Sequence, residues 1–210
     1  MPYNPFDPPF ETLPDEIPIF PLDGMVLLPR GELPLNIFEP RYLAMVADAL
    51  KGNRLIGIIQ PHFKTGCVGR IVRFEELIDG RYLISLRGLC RFHIGDDVAN
   101  AARDYRCATV KWNDFAQDMV RTKYIDIDKS RLKLLLRNYF ESQDLSMDWD
   151  LIDEVAEEGL FTTLAMVCPF NAAEKQALLE AECCKARADL FIKLLEMAVG
   201  SALKSHITPH

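Results

Sequence analysis

At Trp112 the apolar residues of this chain change their period, and no other feature so narrows the folds open to it. Before that point they alternate in twos, as strand residues do; after it they recur every three or four positions, as on helices. Tyr82, Ile84 and Leu86 share one face of a strand, with Arg81, Ser85 and Arg87 on the other, and Ala108, Val110 and Trp112 again share a side. Further on, Leu132, Leu135, Leu136, Tyr139 and Phe140 make a stripe at helical spacing. Strands first and helices second define an α+β chain, with a sheet region over 14–115 and a helical bundle over 116–203.

The strand half carries its own punctuation. Pro2, Pro5, Pro8 and Pro9 keep residues 1–13 out of regular structure, as an irregular arm pinned by Phe6 and Phe10. A first strand is expected over Glu16–Pro21, and Met25–Leu28 is a short apolar run closed by the turn signal Pro29-Arg30-Gly31. Leu33, Leu35 and Ile37 then alternate with Pro34, Asn36 and Phe38, and the prolines mark both strands as edges. Pro40 turns the second strand into a helix. It pushes Glu39 out of the helical region and suits the first helical position, where an N–H would have no partner. That helix carries Tyr42, Met45, Val46, Ala49 and Leu50 on one stripe and stops at Gly52.

A buried strand follows over Arg54–Gln60. Asp79-Gly80 between two apolar runs predicts a hairpin with a type I′ turn, Gly69 predicts a bulge, and Gly88 a break before Cys90, Phe92 and Ile94 resume an inward face. Many short, mostly antiparallel strands with one inserted helix read as a small barrel or pseudo-barrel. In the helical half, Asp128 is placed to cap the Leu132–Phe140 helix. Glu141–Glu158 holds eight acidic residues and no Lys or Arg, read as a loop plus a helix around Trp149–Glu157. A helix over Leu160–Val167 ends before Pro169, and Asn171 with Glu174 fits a capping box. One long final helix is expected to carry Leu179, Cys183, Ala186, Leu190, Leu194 and Met197 and to stop at Gly200, leaving 204–210 as a tail.

Composition excludes several classes. The net charge of -7 argues against a broad nucleic-acid surface. No apolar run reaches the roughly 18 residues of a membrane span. The first basic side chain is Arg30, so no secretory or transit leader is expected, and the six cysteines, with no C-x-x-C pair, read as reduced and mostly buried in a cytoplasmic protein.

Leu22-Asp-Gly-Met-Val-Leu-Leu-Pro29 followed by Leu33-Pro-Leu-Asn-Ile-Phe-Glu-Pro-Arg-Tyr42 resembles the N-terminal, substrate-recognition domain of the ATP-dependent Lon protease family. The likeness is greatest to stand-alone bacterial members made of this domain only. It continues through Ile56–Pro61, Gly66–Ile71, Asp79–Tyr82, Gly88–Phe92 and Glu174–Glu180, covering most of residues 16–200. The resemblance implies a PUA-like β pseudo-barrel with one inserted helix, followed by an α-helical bundle with a long final helix. It also implies binding of exposed apolar segments of unfolded polypeptides, as adaptor or holdase, with a Lon-type protease as a further partner. The sequence has no Gly-Lys dipeptide and so no P-loop, and neither the ATPase nor the Ser-Lys peptidase module is expected.

No catalytic residue, cofactor or metal site is assigned. Cys90 and His93, three apart in a strand, point to opposite faces and cannot chelate together. For polypeptide the expected surface is the strand–helix corner with Phe38, Glu39, Arg41 and Tyr42, joined by Met25 and Leu27 from the apolar loop and by the edge strands Ile17–Phe20 and Leu33–Phe38. The alternative is an RNA-binding patch of Arg81, Arg87 and Arg91, opposed by the interleaved acidic residues; a small-molecule pocket between barrel and bundle is a third reading. The long terminal helix offers a face to a second copy of the chain.

Overall fold

The computed structural model describes residues 6–99, 103–120, 129–143 and 157–207. Its strands are β1 (Glu16–Pro21), β2 (Glu32–Ile37), β3 (Leu55–Ile59), β4 (Thr65–Glu76), β5 (Tyr82–Val98) and β6 (Cys107–Lys111). Helix α1 (Pro40–Lys51) is inserted between β2 and β3, and a 3-10 segment, Asn113–Met119, leaves the last strand. The helical half comprises α2 (Lys129–Ser142), α3 (Glu157–Val167), α4 (Ala172–Glu180) and α5 (Cys184–Ile207). Asp128 and the helix expected around Trp149–Glu157 lie outside the described residues, apart from Glu157, which opens α3.

The sheet runs β2-β5-β4-β3-β1-β6, and β6 pairs with β5 as well, so β1, β3, β4, β5 and β6 close into a ring. Only β1 with β3 is parallel. Closure is possible because β5 is 17 residues long. Its first half pairs with β2 and its second half with β6, while β4 runs along both. This puts β1 between β3 and β6. The Ile17–Phe20 strand is therefore not an edge; its prolines sit in an interior strand, and β2 alone of the two proline strands has one neighbour.

Phe92 fills the ring. It is fully buried, meets Trp112 edge-on at 5.8 Å, and packs among Ile17, Ile19, Val68 and Val110. Gly66 makes room for it, since a Cβ there would lie 2.6 Å from its ring. The outer faces of the same strands share a second core with α1 and the bundle, where Ile56, Ile58 and Leu86 join Leu136, Phe161, Phe170, Leu179 and Phe191.

Two local expectations change along the β4–β5 hairpin. The hairpin forms at Asp79-Gly80, but of these two only Gly80 has positive φ, at 82°. Gly80 N–H bonds to Leu77 O and Leu77 N–H to Arg81 O, both at 2.9 Å, which is a three-residue loop with a glycine bulge rather than a type I′ turn. Gly88 does not break β5. It stays in the strand so that the Leu28 carbonyl can pass, where any Cβ would come within 2.1 Å of that oxygen. The register does shift at Val68/Gly69, with Leu89 left over on β5.

The final helix is two helices. Asn171 and Glu174 form the capping box, both bonds at 2.9 Å, and α4 ends at Glu180. Helix α5 starts at Cys184 and runs through Gly200 to Ile207, so that glycine is not a stop. The break at Ala181–Cys183 rotates the expected stripe. Leu178, Leu179, Ala188, Phe191 and Leu195 are buried, while Cys183 and Met197 are exposed.

Candidate functional site

The strand–helix corner is built as its residues dictate. Glu39 sits at the N-cap in extended geometry (φ −72°, ψ 131°) with Pro40 beginning the helix. Its carboxylate makes no cap bond. Instead it accepts from Arg41 Nε at 3.0 Å and Nη2 at 2.8 Å, an exposed pair whose guanidinium lies 4.5 Å over the Tyr42 ring. Tyr42 is buried against Phe20, ring centroids 4.2 Å apart. Phe38 is 64% exposed. The corner thus splits: Tyr42 anchors it from within, and Phe38 with the Glu39–Arg41 pair faces water.

Phe38 continues the outward row of a three-stranded extension. Here β2, β5 and β4 stand clear of the ring, with Pro34 opposite Ser85, Asn36 opposite Leu83, Arg73 opposite Ser85, and Glu75 opposite Leu83. A cleft of about 250 Å³ lies on this extension, lined by Pro34, Arg73, Phe74, Glu75, Leu83 and Ser85. Apolar side chains that a folded core would hide stay exposed around it: Phe74, Leu83, and Ile78 at the hairpin tip. Phe74, opposite Ile84, is on the other face of β4 from Arg73 and Glu75 and leans on Tyr82 at 5.0 Å. Neither Arg73 nor Glu75 has an ion-pair partner among the described residues, so the cleft has an apolar floor and a charged rim. On one side β2 presents an open backbone edge.

The other expected contributors lie elsewhere. Leu27 has 0% exposure and packs over Gly69, where a Cβ would meet its methyl at 2.6 Å. The loop that carries it is fixed to β5 through Arg30 N–H to Gly88 O and Gly88 N–H to Gly31 O, both 2.8 Å. Met25 alone of Met25–Leu28 is exposed, and nothing joins it to the cleft.

The three arginines do not form a basic patch. Arg81 pairs with Asp79 at 2.7 Å, and Arg87 with the buried Asp7 of the N-terminal arm. Arg91 is buried under the bundle, bidentate to Asp118 at 2.8 and 2.9 Å, and donates to the carbonyls of Leu179, Ala181 and Glu182 at the helix break. Each cation is already answered, so counterion release on RNA has no free charge here to draw on.

The thiols are equally committed. All six cysteines are free and four are buried. Burial pushes the thiols of Cys67 and Cys90 up, and that of Cys168 up to about 12, which keeps them protonated and poor nucleophiles. Cys90 Sγ points to the Phe115 carbonyl, whereas the His93 ring lies beside Thr65 and Asp114.

Sequence reasoning missed Leu83, Phe74, Arg73 and Glu75. A signal was present: Leu83 is an apolar residue in the outward row of Arg81, Ser85 and Arg87.

The family model for the ATP-dependent protease La (LON) substrate-binding domain matches residues 16–197. Lon protease 2 of Myxococcus xanthus is 27% identical over 202 residues, covering 88% of this chain but 24% of its own length. The Lon protease of Cytophaga hutchinsonii is also 27% identical, over 89% of this chain and 24% of its own. The chain thus spans about a quarter of the length of these relatives. Among solved structures, a Lon N-terminal domain protein from Xanthomonas campestris shares the fold at TM-score 0.58 and 22% identity, over 85% of this chain and 97% of its own. The N-terminal domain of Mycobacterium avium complex Lon protease has the same TM-score at 15% identity, over 88% and 98%. This chain belongs to the family of the ATP-dependent protease La (LON) substrate-binding domain.

Proposed function

We propose that this protein recognises exposed apolar segments of unfolded polypeptides without catalysing a reaction on them, and presents or holds them beside a Lon-type protease in the cytoplasm. The observation that carries this reading is the cleft on the β2-β5-β4 extension. Apolar Phe38 and Leu83 stay exposed on its outward face, next to a strand with an open edge, in a chain of a substrate-binding family. An extended segment lying along β2 would find backbone partners on the edge and apolar contact on the face. The charged rim of Arg73 and Glu75 would favour polypeptide over lipid. No helix among the described residues is long and apolar enough to cross a membrane.

The test is fluorescence anisotropy with a reduced, unfolded model polypeptide across a salt series, beside a single-stranded RNA. Polypeptide binding that survives high salt and falls about tenfold in Phe38→Ala and Leu83→Ser supports the reading. Binding unchanged in both variants, or RNA binding that falls steeply with salt, overturns it.

A further inference from the structure

A second cleft lies where the end of α1 meets the starts of β1 and β6, and it shares no lining residue with the cleft on the β2-β5-β4 extension. It measures about 240 Å³. Its base is closed by Ile17, Ala49, Leu55 and Cys107, whose side chains are buried. Its walls carry charge of both signs.

Asp48 is a prepared acceptor. The hydrogen bonds from Lys51 at 3.2 Å and from the Tyr105 hydroxyl at 3.0 Å hold its carboxyl below the usual range, so it is ionised at neutral pH. Glu16, exposed at the start of β1, has no cation within ion-pair distance among the described residues. Arg103 is a prepared donor. Its guanidinium lies 5.8 Å from the centre of the Tyr105 ring and donates from Nη1 to Cys107 Sγ at 3.4 Å. No carboxylate of the described residues lies within ion-pair distance of it. A thiol is a weak acceptor, and it leaves the planar fork of the guanidinium available to the two oxygens of a carboxylate.

We infer that this cleft binds the α-carboxylate and the adjoining nitrogen of an amino-acid unit. Arg103 takes the carboxylate, and Asp48 and Glu16 accept from the ligand's nitrogen. A free amino acid and the last residue of a polypeptide share this chemistry; they differ in whether the nitrogen is an ammonium or an amide. An ammonium gains from both carboxylates, whereas an amide N–H needs only one acceptor.

The test is calorimetric titration of the full chain with L-leucine, N-acetyl-L-leucine and L-leucinamide. Leucine or its acetyl derivative binds, leucinamide binds about tenfold more weakly or worse, and Arg103→Gln loses a similar factor. Arg103 is exposed, so that variant keeps the thermal midpoint of the parent, while Phe38→Ala, outside the cleft, binds leucine as before. A preference for leucine names the free amino acid as the source, and a preference for N-acetyl-leucine names a chain terminus. Equal binding of leucine and leucinamide, unchanged binding in Arg103→Gln, or no heat from leucine or N-acetyl-leucine up to about 10 mM overturns the inference. None of these outcomes bears on the polypeptide cleft, which is read by Phe38 and Leu83.

Discussion

The seam between barrel and bundle and the β2-β5-β4 extension make opposite use of their side chains. At the seam nearly every buried polar group is answered. Arg91 spans Asp118 and three carbonyls of the helix break, Arg187 donates to Leu178 O at 2.8 Å, and Gln176 bridges Gln60 to Thr65 O. Gln60 Oε1 is the seam's acceptor without a protein partner among the described residues. On the extension the apolar groups are the unanswered ones: Phe38, Phe74, Ile78 and Leu83 remain in water. The seam holds one arrangement because a buried charge that loses its partner costs far more than the pair gains. The extension's inward face is core, with Leu33, Ile37, Ile84 and Leu86 buried, and its exposed side chains carry little packing. Buried polar ties and exposed apolar side chains thus lie on different elements.

Substitutions should separate the two. Arg91→Met strands Asp118 and three carbonyls, and is expected to cost about 3–5 kcal/mol, read as a fall in the urea midpoint. A stability equal to the parent's would mean that the seam is not what fixes the helix break. Gly88→Ala forces a Cβ against the Leu28 carbonyl and is expected to cost about 1–3 kcal/mol in the same measurement. Removing the capping box with Asn171→Ala should cost about 1 kcal/mol, visible in thermal unfolding.

Lys175 sharpens the comparison in the other direction. It is buried on α4 with no ion-pair partner among the described residues, and burial lowers its pKa. Lys175→Met should therefore stabilise the protein by about 0.5–1 kcal/mol. The sign with pH follows from the same shift. The folded state releases this proton before the unfolded one, so stability gains as pH rises toward the unfolded value near 10.5, and the gain disappears in Lys175→Met. Urea midpoints of both proteins at neutral and alkaline pH read it. Last, Phe38→Ala and Leu83→Ser should move stability by less than about 0.5 kcal/mol while polypeptide binding falls. If they instead unfold the chain, the extension is core and the comparison fails.

Much of the architecture was legible because its determinants are local. The alternation in Tyr82–Leu86, the Pro40 helix start and the Asn171–Glu174 box each act over a few residues, and each forms as read. The candidate site was half legible. The exposure of Phe38 was legible because a strand–helix corner leaves its last outward residue in water. Leu27 was misplaced because a run of four apolar residues has no face of its own until another strand, here at Gly69, packs on it.

The sequence by itself determined the order of strands and helices, the corner, the hairpin position and the family, since period, proline geometry and capping are properties of neighbouring residues. Only the tertiary structure decided that β1 is interior and β2 the edge, that the last helix breaks at Ala181–Cys183, and that Arg91 is a buried tie and not a surface cation. Those outcomes depend on which distant groups meet. A guanidinium on β5 and the carbonyls of a helix end some 90 residues later become partners only when the ring has closed and the bundle has packed against it.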